Sequence, residues 1–265
     1  MAERIRFQPP WSPTLEKLAD GIWVVRGDLK RGMNVYLLED DGGVTAFDAG
    51  TQPMTKAVRA AGERLGGLQR VVLGHADSDH RGTAPHLGVP VYCHPDDLEA
   101  AKAAGPFRDY WTMDELEIGW VRWLYKHYLH RRWDGGAIDV AGTVDEGERV
   151  CGFEVKHFPG HAPGLIGLWR ASDSLAIVSD TVYFVDSARL EPLPELERDG
   201  VSGHEVTVPD DVWNWHTATA AESVRKLAAL RPERVFAGHE RALEGDPEVI
   251  AELLEQAADA AGQGA

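Results

Sequence analysis

The sequence predicts an α/β (α+β) fold built as a four-layer αββα sandwich, two stacked sheets with helices outside. Three observations predict it. Short apolar runs of strand length precede helical segments in the first half of the chain. The same order returns in the second half. Between the halves lies an aromatic-rich helical insert at residues 106–136. No low-complexity stretch or long linker divides the 265 residues, so we expect a single domain over residues 1–265.

The elements follow in order. Ile22–Val25, Val35–Leu38 and Val44–Phe47 are rich in β-branched and aliphatic residues and read as strands. Asp48-Ala49-Gly50 ends the third, and Lys56–Leu65 reads as a helix. Val71–Leu73 is a short buried strand, Val89–Cys93 another, and a helix starts near Pro95, because proline suits a first helical turn. In the insert, Met113, Leu116, Trp120, Trp123, Leu124 and Tyr128 fall on one helical stripe, with Arg122, Lys126, Arg131 and Arg132 opposite. Further on, Val150–Phe158, Leu165–Trp169, Leu175–Val178 and Val235–Ala237 read as strands. Ala218–Leu230 and a segment from Pro247 to about Ala258 read as helices.

Composition narrows the function. The formal net charge of −16 repels phosphate backbones, so we expect no nucleic-acid partner. The two cysteines, Cys93 and Cys151, each sit in a strand-like run and read as free thiols of a reducing compartment. The polar, proline-rich segment 1–13 lacks the apolar core of a signal peptide, and no apolar run is long enough to cross a bilayer. These features predict a cytoplasmic protein with no membrane association.

The chemistry concentrates in Leu73-Gly74-His75-Ala76-Asp77-Ser78-Asp79-His80-Arg81-Gly82. Two imidazoles and two carboxylates lie within six residues, directly after an apolar strand. Nitrogen and oxygen donors without thiolate suit zinc, iron or manganese at a catalytic site. In extended chain His75, Asp77 and Asp79 point the same way, and His80 turns aside. One ion cannot take four ligands so close in sequence without strain, so the segment favours two ions. Further candidate ligands stand at strand ends: His161 in the turn Phe158-Pro159-Gly160-His161, Asp180 after Leu175–Val178, and His239 after Val235-Phe236-Ala237-Gly238.

These segments resemble the metallo-β-lactamase superfamily, whose usual first motif is His-x-His-x-Asp-His; here it reads His-x-Asp-x-Asp-His. Pro-Gly-His at 159–161, the strand-end Asp180 and Gly-His at 238–239 also match, as do Asn34–Leu38 and Phe47–Gly50. The match runs in family order from roughly residue 20 to 240. The resemblance implies the αββα fold and two divalent metal ions, zinc first, with iron or manganese open. It implies that His75, Asp77 and His161 bind one ion, that Asp79, His80 and His239 bind the other, and that Asp180 bridges them. Asp48 is carried over as a group that orients a ligating imidazole. Asp77 departs from the family's histidine. A carboxylate there hardens the first site toward iron or manganese, or leaves that site weak and the protein mononuclear.

The implied activity is a metal-dependent hydrolase in which a metal-bound hydroxide cleaves a small carbonyl ester, lactone or thioester. Asp79 and Asp180 carry the chemistry with the ions. Tyr183 has two readings, an oxyanion donor as in some lactonases of the superfamily, or a wall aromatic beside Phe184. An iron-dependent oxidoreductase acting on sulfur or oxygen, and a metal-stabilised binding protein without turnover, are the alternatives. For the remaining histidines the plainer reading is preferred. His94 caps a helix, His86 packs behind the metal loop, His204 and His216 lie at the surface or in packing, and His127 and His130 face solvent. The insert is core, a lid over a small-molecule substrate, or a homodimer face; we favour the lid.

Overall fold

The computed structural model describes residues 4–6, 13–28, 32–116, 118–189 and 191–262. The expectations for segment 1–13 therefore fall largely outside the described residues. The chain packs as two compact units, Met1–Arg108 with Trp123–Val144, and Asp109–Arg122 with Asp145–Ala265.

The first unit holds an eight-stranded sheet whose strands follow one another in chain order. Arg4–Arg6, Thr14–Ala19, Ile22–Gly27, Met33–Asp40 and Gly43–Phe47 pair antiparallel. From Gly43–Phe47 onward, Leu68–Val72, Val91–Cys93 and Val140–Thr143 add in parallel. The change to parallel pairing requires a crossover, and helix Thr55–Arg64 supplies it. Its Ala57, Val58, Ala61 and Gly62 form one buried stripe at helical spacing. They join a core with Val35, Leu37, Val44, Ala46, Val71 and Leu73.

The second unit holds another eight-stranded sheet. Arg149–Val150, Phe153–His157, Ile166–Arg170 and Leu175–Ser179 pair antiparallel in turn. Arg234–Ala237 then lies parallel to Leu175–Ser179, followed by Leu243–Glu244, Val201–His204 and Glu195–Arg198. Leu175–Ser179 is buried at every position, as its uninterrupted apolar run requires of an interior strand. Helices Thr217–Ala229 and Pro247–Gly262 bury Val224, Leu227, Ile250 and Leu254 in this unit's core.

The expected elements appear with small shifts at their ends, and several differences have physical causes. The strand foreseen over Val150–Phe158 is two strands, broken where Cys151 and Gly152 take positive φ angles of 49° and 82° in a turn. Cys151 is therefore not in a strand, whereas Cys93 is. Short strands such as Thr14–Ala19 and Val140–Thr143 escape a reading by apolar runs, because Glu16, Lys17 and Gly142 interrupt them.

The insert differs most. It forms short pieces, Gly119–Leu124, a π-helical turn Tyr125–Leu129 and His130–Trp133. Of the expected stripe Met113 and Leu116 are buried, while Trp120, Trp123 and Tyr128 are exposed; from Gly119 to Trp133 the buried residues are Val121, Tyr125, Leu129, His130 and Trp133. The π turn shifts the phase of the helix, so a stripe drawn at a constant 3.6-residue period picks the wrong face. No helix among the described residues is long and apolar enough to cross a membrane.

Candidate metal centre

The candidate ligands fall into two groups, one in each unit, and each group is set by the same device. Parallel neighbours in a sheet end at the same edge, and side chains that follow them emerge side by side. In the first unit the parallel strands Gly43–Phe47 and Leu68–Val72 deliver Asp48 and the segment from Gly74 to His80 to one edge. Asp48 sits at φ 61°, a left-handed conformation that aspartate tolerates better than most residues. This turn aims its carboxylate along the loop. Oδ1 accepts from the Gly74 N–H at 2.7 Å, and Oδ2 lies 3.0 Å from His80 Nδ1. With Nδ1 engaged, His80 presents Nε2, the arrangement that orients a ligating imidazole. Asp48 thus holds the ring of His80, a candidate ligand.

The loop that carries these candidate ligands turns at Asp77 into the one-turn helix Ser78–Arg81. His75 and His80 approach with ring centroids 4.1 Å apart. His75 Nε2 lies 3.4 Å from Asp77 Oδ2, and His80 Nε2 lies 4.0 Å from Asp79 Oδ2. One oxygen of Asp48 and one nitrogen each of His75 and His80 lie within 4.8 Å of one another. His75, Asp77 and His80 are buried.

In the second unit, Leu175–Ser179 and Arg234–Ala237 run parallel and end at Asp180 and His239. A bulge between Ile177 and Ser179, with Ser179 at φ 46°, turns the chain so that Asp180 leaves the strand end. The Gly238 N–H donates to the Ser179 carbonyl at 2.8 Å and locks the two strand ends together. His161 comes from the turn between Phe153–His157 and Ile166–Arg170, which opens at the same edge. Gly160 has φ 136°, and a Cβ there would stand 2.2 Å from the Ala220 backbone nitrogen, so only glycine fits. The His161 ring is steadied by Asn214, whose Oδ1 lies 3.3 Å from Nδ1. Asn214 is itself fixed by donating to the Pro209 carbonyl and to Thr217 Oγ1.

These separations test whether the residues suit a metal ion. Ligand atoms held about 2.1 Å from a tetrahedral ion stand about 3.4 Å from one another. Asp180 Oδ2 lies 3.8 Å from His161 Nε2 and 3.4 Å from His239 Nε2, and the His75–Asp77 separation is 3.4 Å. These are longer than good hydrogen bonds and close to the spacing of neighbours around one ion. The donor set, imidazole and carboxylate at these separations, suits a divalent cation.

Tyr183 lies beside the second group. Its ring centroid is 5.9 Å from that of His161 and 5.9 Å from that of His239. It is buried, and its backbone bridges to Thr207.

The other histidines divide. His94 caps its helix, with Nδ1 accepting from the Asp96 N–H at 3.2 Å, as expected. His216 caps Thr217–Ala229 in the same way, and His204 packs with Nδ1 2.7 Å from the Leu193 carbonyl oxygen. His127 is exposed, as expected. His86 is exposed as well, which corrects its reading as a packing residue. The reading of His130 as solvent-facing is also corrected. It is buried among Phe107, Tyr125 and Trp133, and its Nδ1 lies 2.9 Å from Ser78 Oγ in the metal loop. Burial pulls its pKa down to about 4, against the opposing pull of the Asp79 and Asp77 carboxylates. It is a neutral support for the loop. Burial pushes the Cys93 thiol up to about 12, which keeps it protonated near neutral pH.

Three supporting residues have no local sequence signal. Asp97 accepts from the Ala76 N–H at 2.7 Å through Oδ2. Arg108 donates from Nε to Asp77 Oδ1 at 2.5 Å. Arg81, buried directly after the motif, donates to the carbonyls of Ala100, Ala101, Ala103 and Gly105 and to Asp134 Oδ1. Each partner lies about 20 or more residues away, beyond what spacing reveals.

Comparison with known proteins agrees with this geometry. The family model for the metallo-beta-lactamase superfamily matches residues 30–239. The probable metallo-hydrolase YflN of Bacillus subtilis (strain 168) is 26% identical over 224 residues, covering 78% of this chain and 80% of that protein. A metallo-beta-lactamase from Erythrobacter litoralis, solved with beta-mercaptoethanol in its active site, superposes with a TM-score of 0.61 at 15% identity, over 97% of this chain and 100% of that one. TTHA1623 in a di-iron-bound form superposes with a TM-score of 0.50 at 23% identity, over 89% of this chain and 91% of that one. The likeness to the solved structures gives the fold, the family model spans the ligand segments from His75 to His239, and the chain belongs to the metallo-β-lactamase superfamily of metallo-hydrolases.

Proposed function

We propose that this protein is a metal-dependent hydrolase of a small carbonyl ester, lactone or thioester, in which His75, Asp77, Asp79, His80, His161, Asp180 and His239 hold two divalent ions as the family's ligands do. The observation that carries the reading is Asp180, whose Oδ2 faces Nε2 of both His161 and His239 at 3.8 and 3.4 Å. A carboxylate placed between two imidazole edges suits a bridging ligand. When bound, a pair of divalent ions polarises a carbonyl and brings the pKa of water near neutrality.

The protein's own groups supply the rest. Asp48 and Asn214 hold the rings of His80 and His161 from behind, so those ligands need no rearrangement to bind. Asp79 orients the attacking water. Tyr183 lies next to the His161 and His239 rings, which supports a role for its phenol O–H as donor to the oxyanion that forms as the carbonyl is attacked.

A second reading on the same residues is iron-dependent oxidation. Asp77 favours it, because an oxygen ligand in place of an imidazole hardens the site. Metal analysis of the purified protein, with hydrolysis of an ester, lactone and thioester panel under zinc, manganese and iron, separates the two. Turnover of any panel member with zinc or manganese supports hydrolysis. Dioxygen consumption with iron alone overturns it. We expect Asp180→Ala to lower metal content and to cut hydrolysis by at least about a hundredfold, since it removes a group the ions share. Full activity in that variant removes Asp180 from its role.

A further inference from the structure

We propose that Arg108 is a positioning residue for the first ion. Its guanidinium neutralises Asp77 and fixes it as a single-oxygen ligand, so that the Asp77–Arg108 pair takes the place of the neutral imidazole usual in the family motif. The inference rests on the metal reading above.

The two oxygens of Asp77 have different partners. Oδ1 accepts from Arg108 Nε at 2.5 Å. Oδ2 lies 3.4 Å from His75 Nε2. The guanidinium thus holds Oδ1, and Oδ2 is the oxygen that stands beside the His75 imidazole. A carboxylate held this way binds through one atom, as an imidazole does.

Charge gives the second argument. An aspartate in place of a neutral histidine adds one negative charge to a loop already carrying Asp79. Arg108 adds one positive charge that no accessible pH removes. Taken as a pair, the two side chains are neutral, as the histidine would be. The Asp77 side chain is 3% exposed and that of Arg108 11% exposed, so water screens this compensation little.

The third argument is anchorage. Arg108 Nη2 lies 3.3 Å from Asp97 Oδ2, the same oxygen that accepts from the Ala76 N–H at 2.7 Å. Arg108 is therefore tied to the backbone of the loop that carries both His75 and Asp77. A planar fork reaches both carboxylates at once; a lysine ammonium lacks that geometry.

The test uses the full chain, stripped with chelator and titrated with zinc by calorimetry, with stoichiometry from elemental analysis. Arg108→Gln should weaken the more weakly held ion by roughly 10–100-fold, the usual cost of losing an orienting partner. Arg108→Lys should recover part of that loss, because it keeps the charge. Asp77→His supplies the control background, where the carboxylate is gone. There, adding Arg108→Gln should leave zinc affinity unchanged or tighten it.

Equal zinc affinity in wild type and Arg108→Gln overturns the proposal. So does the same loss in both backgrounds, which marks a general structural role. If Arg108→Gln does not fold by circular dichroism, Arg108→Lys against wild type and against its Asp77→His counterpart makes the same comparison. Wild-type protein that binds no zinc, iron or manganese overturns the metal reading itself and this inference with it. Normal metal binding that is insensitive to Arg108 overturns this inference alone.

Discussion

Asp48 does with one side chain what the strand edge alone does not: it fixes the backbone at Gly74 and the ring of His80 together. Asp48→Asn retains an acceptor for one of these contacts and loses the charge facing the imidazole. We expect metal affinity to fall roughly 10–100-fold while the fold persists, measured by competition with a chromogenic chelator; unchanged affinity would show that His80 needs no orienting carboxylate. His130 makes a prediction of another kind. Its folded pKa, about 4, lies below its ordinary 6.5. Between those values the unfolded chain takes up a proton that the native state refuses. The stabilisation is therefore complete above about pH 6.5 and is lost as pH falls toward 4. In metal-free protein His130→Gln should flatten the stability–pH curve across that window by up to about 1.4 kcal/mol per pH unit. Urea denaturation at a series of pH values reads it, and an unaltered slope would place the proton elsewhere.

At the scale of elements, the turn before His161 is the most constrained piece. Gly160 combines φ 136° with backbone of helix Thr217–Ala229 so close that a Cβ would meet Ala220 at 2.2 to 2.6 Å. Gly160→Ala should cost about 3 kcal/mol or more, from overpacking and backbone strain together, and should lower metal affinity as His161 shifts. A midpoint in urea equal to that of wild type would contradict the geometry. Much at this scale was legible in the sequence. Leu175–Val178 and Val44–Phe47 are uninterrupted apolar runs, and Ala218–Leu230 has helical spacing, so local pattern sufficed. The insert was not legible, because the π turn at Tyr125–Leu129 breaks the period on which a helical stripe depends. The split at Cys151 was missed because cysteine rarely takes a positive φ without a tertiary reason.

At the scale of the whole molecule, long-range polar contacts decide how firmly the metal loop is held. Arg81 is buried at 1% exposure, and its guanidinium gathers the carbonyls that end helix Leu98–Lys102 together with Asp134. Such carbonyls have no partner within a helix and need a donor. Arg81→Met leaves them and the Asp134 carboxylate uncompensated, and we expect a loss of about 3–5 kcal/mol. Denaturant unfolding checks this, and a loss below about 1 kcal/mol would show that water replaces the guanidinium, at the level of an exposed ion pair.

The sequence by itself determined which side chains are available to bind a metal and the order in which strands present them. Both follow from short-range pattern: apolar runs make strands, and polar residues directly after them stand at a sheet edge. The tertiary structure alone decided which residues stand behind the ligands. His130 enters an aromatic pocket beside Ser78, and Arg108 and Arg81 find partners up to 31 and 53 residues away. Nothing in a residue's neighbours along the chain states whether its charge will be buried or with what; that is settled when distant segments compete for the same donors and acceptors as the core closes.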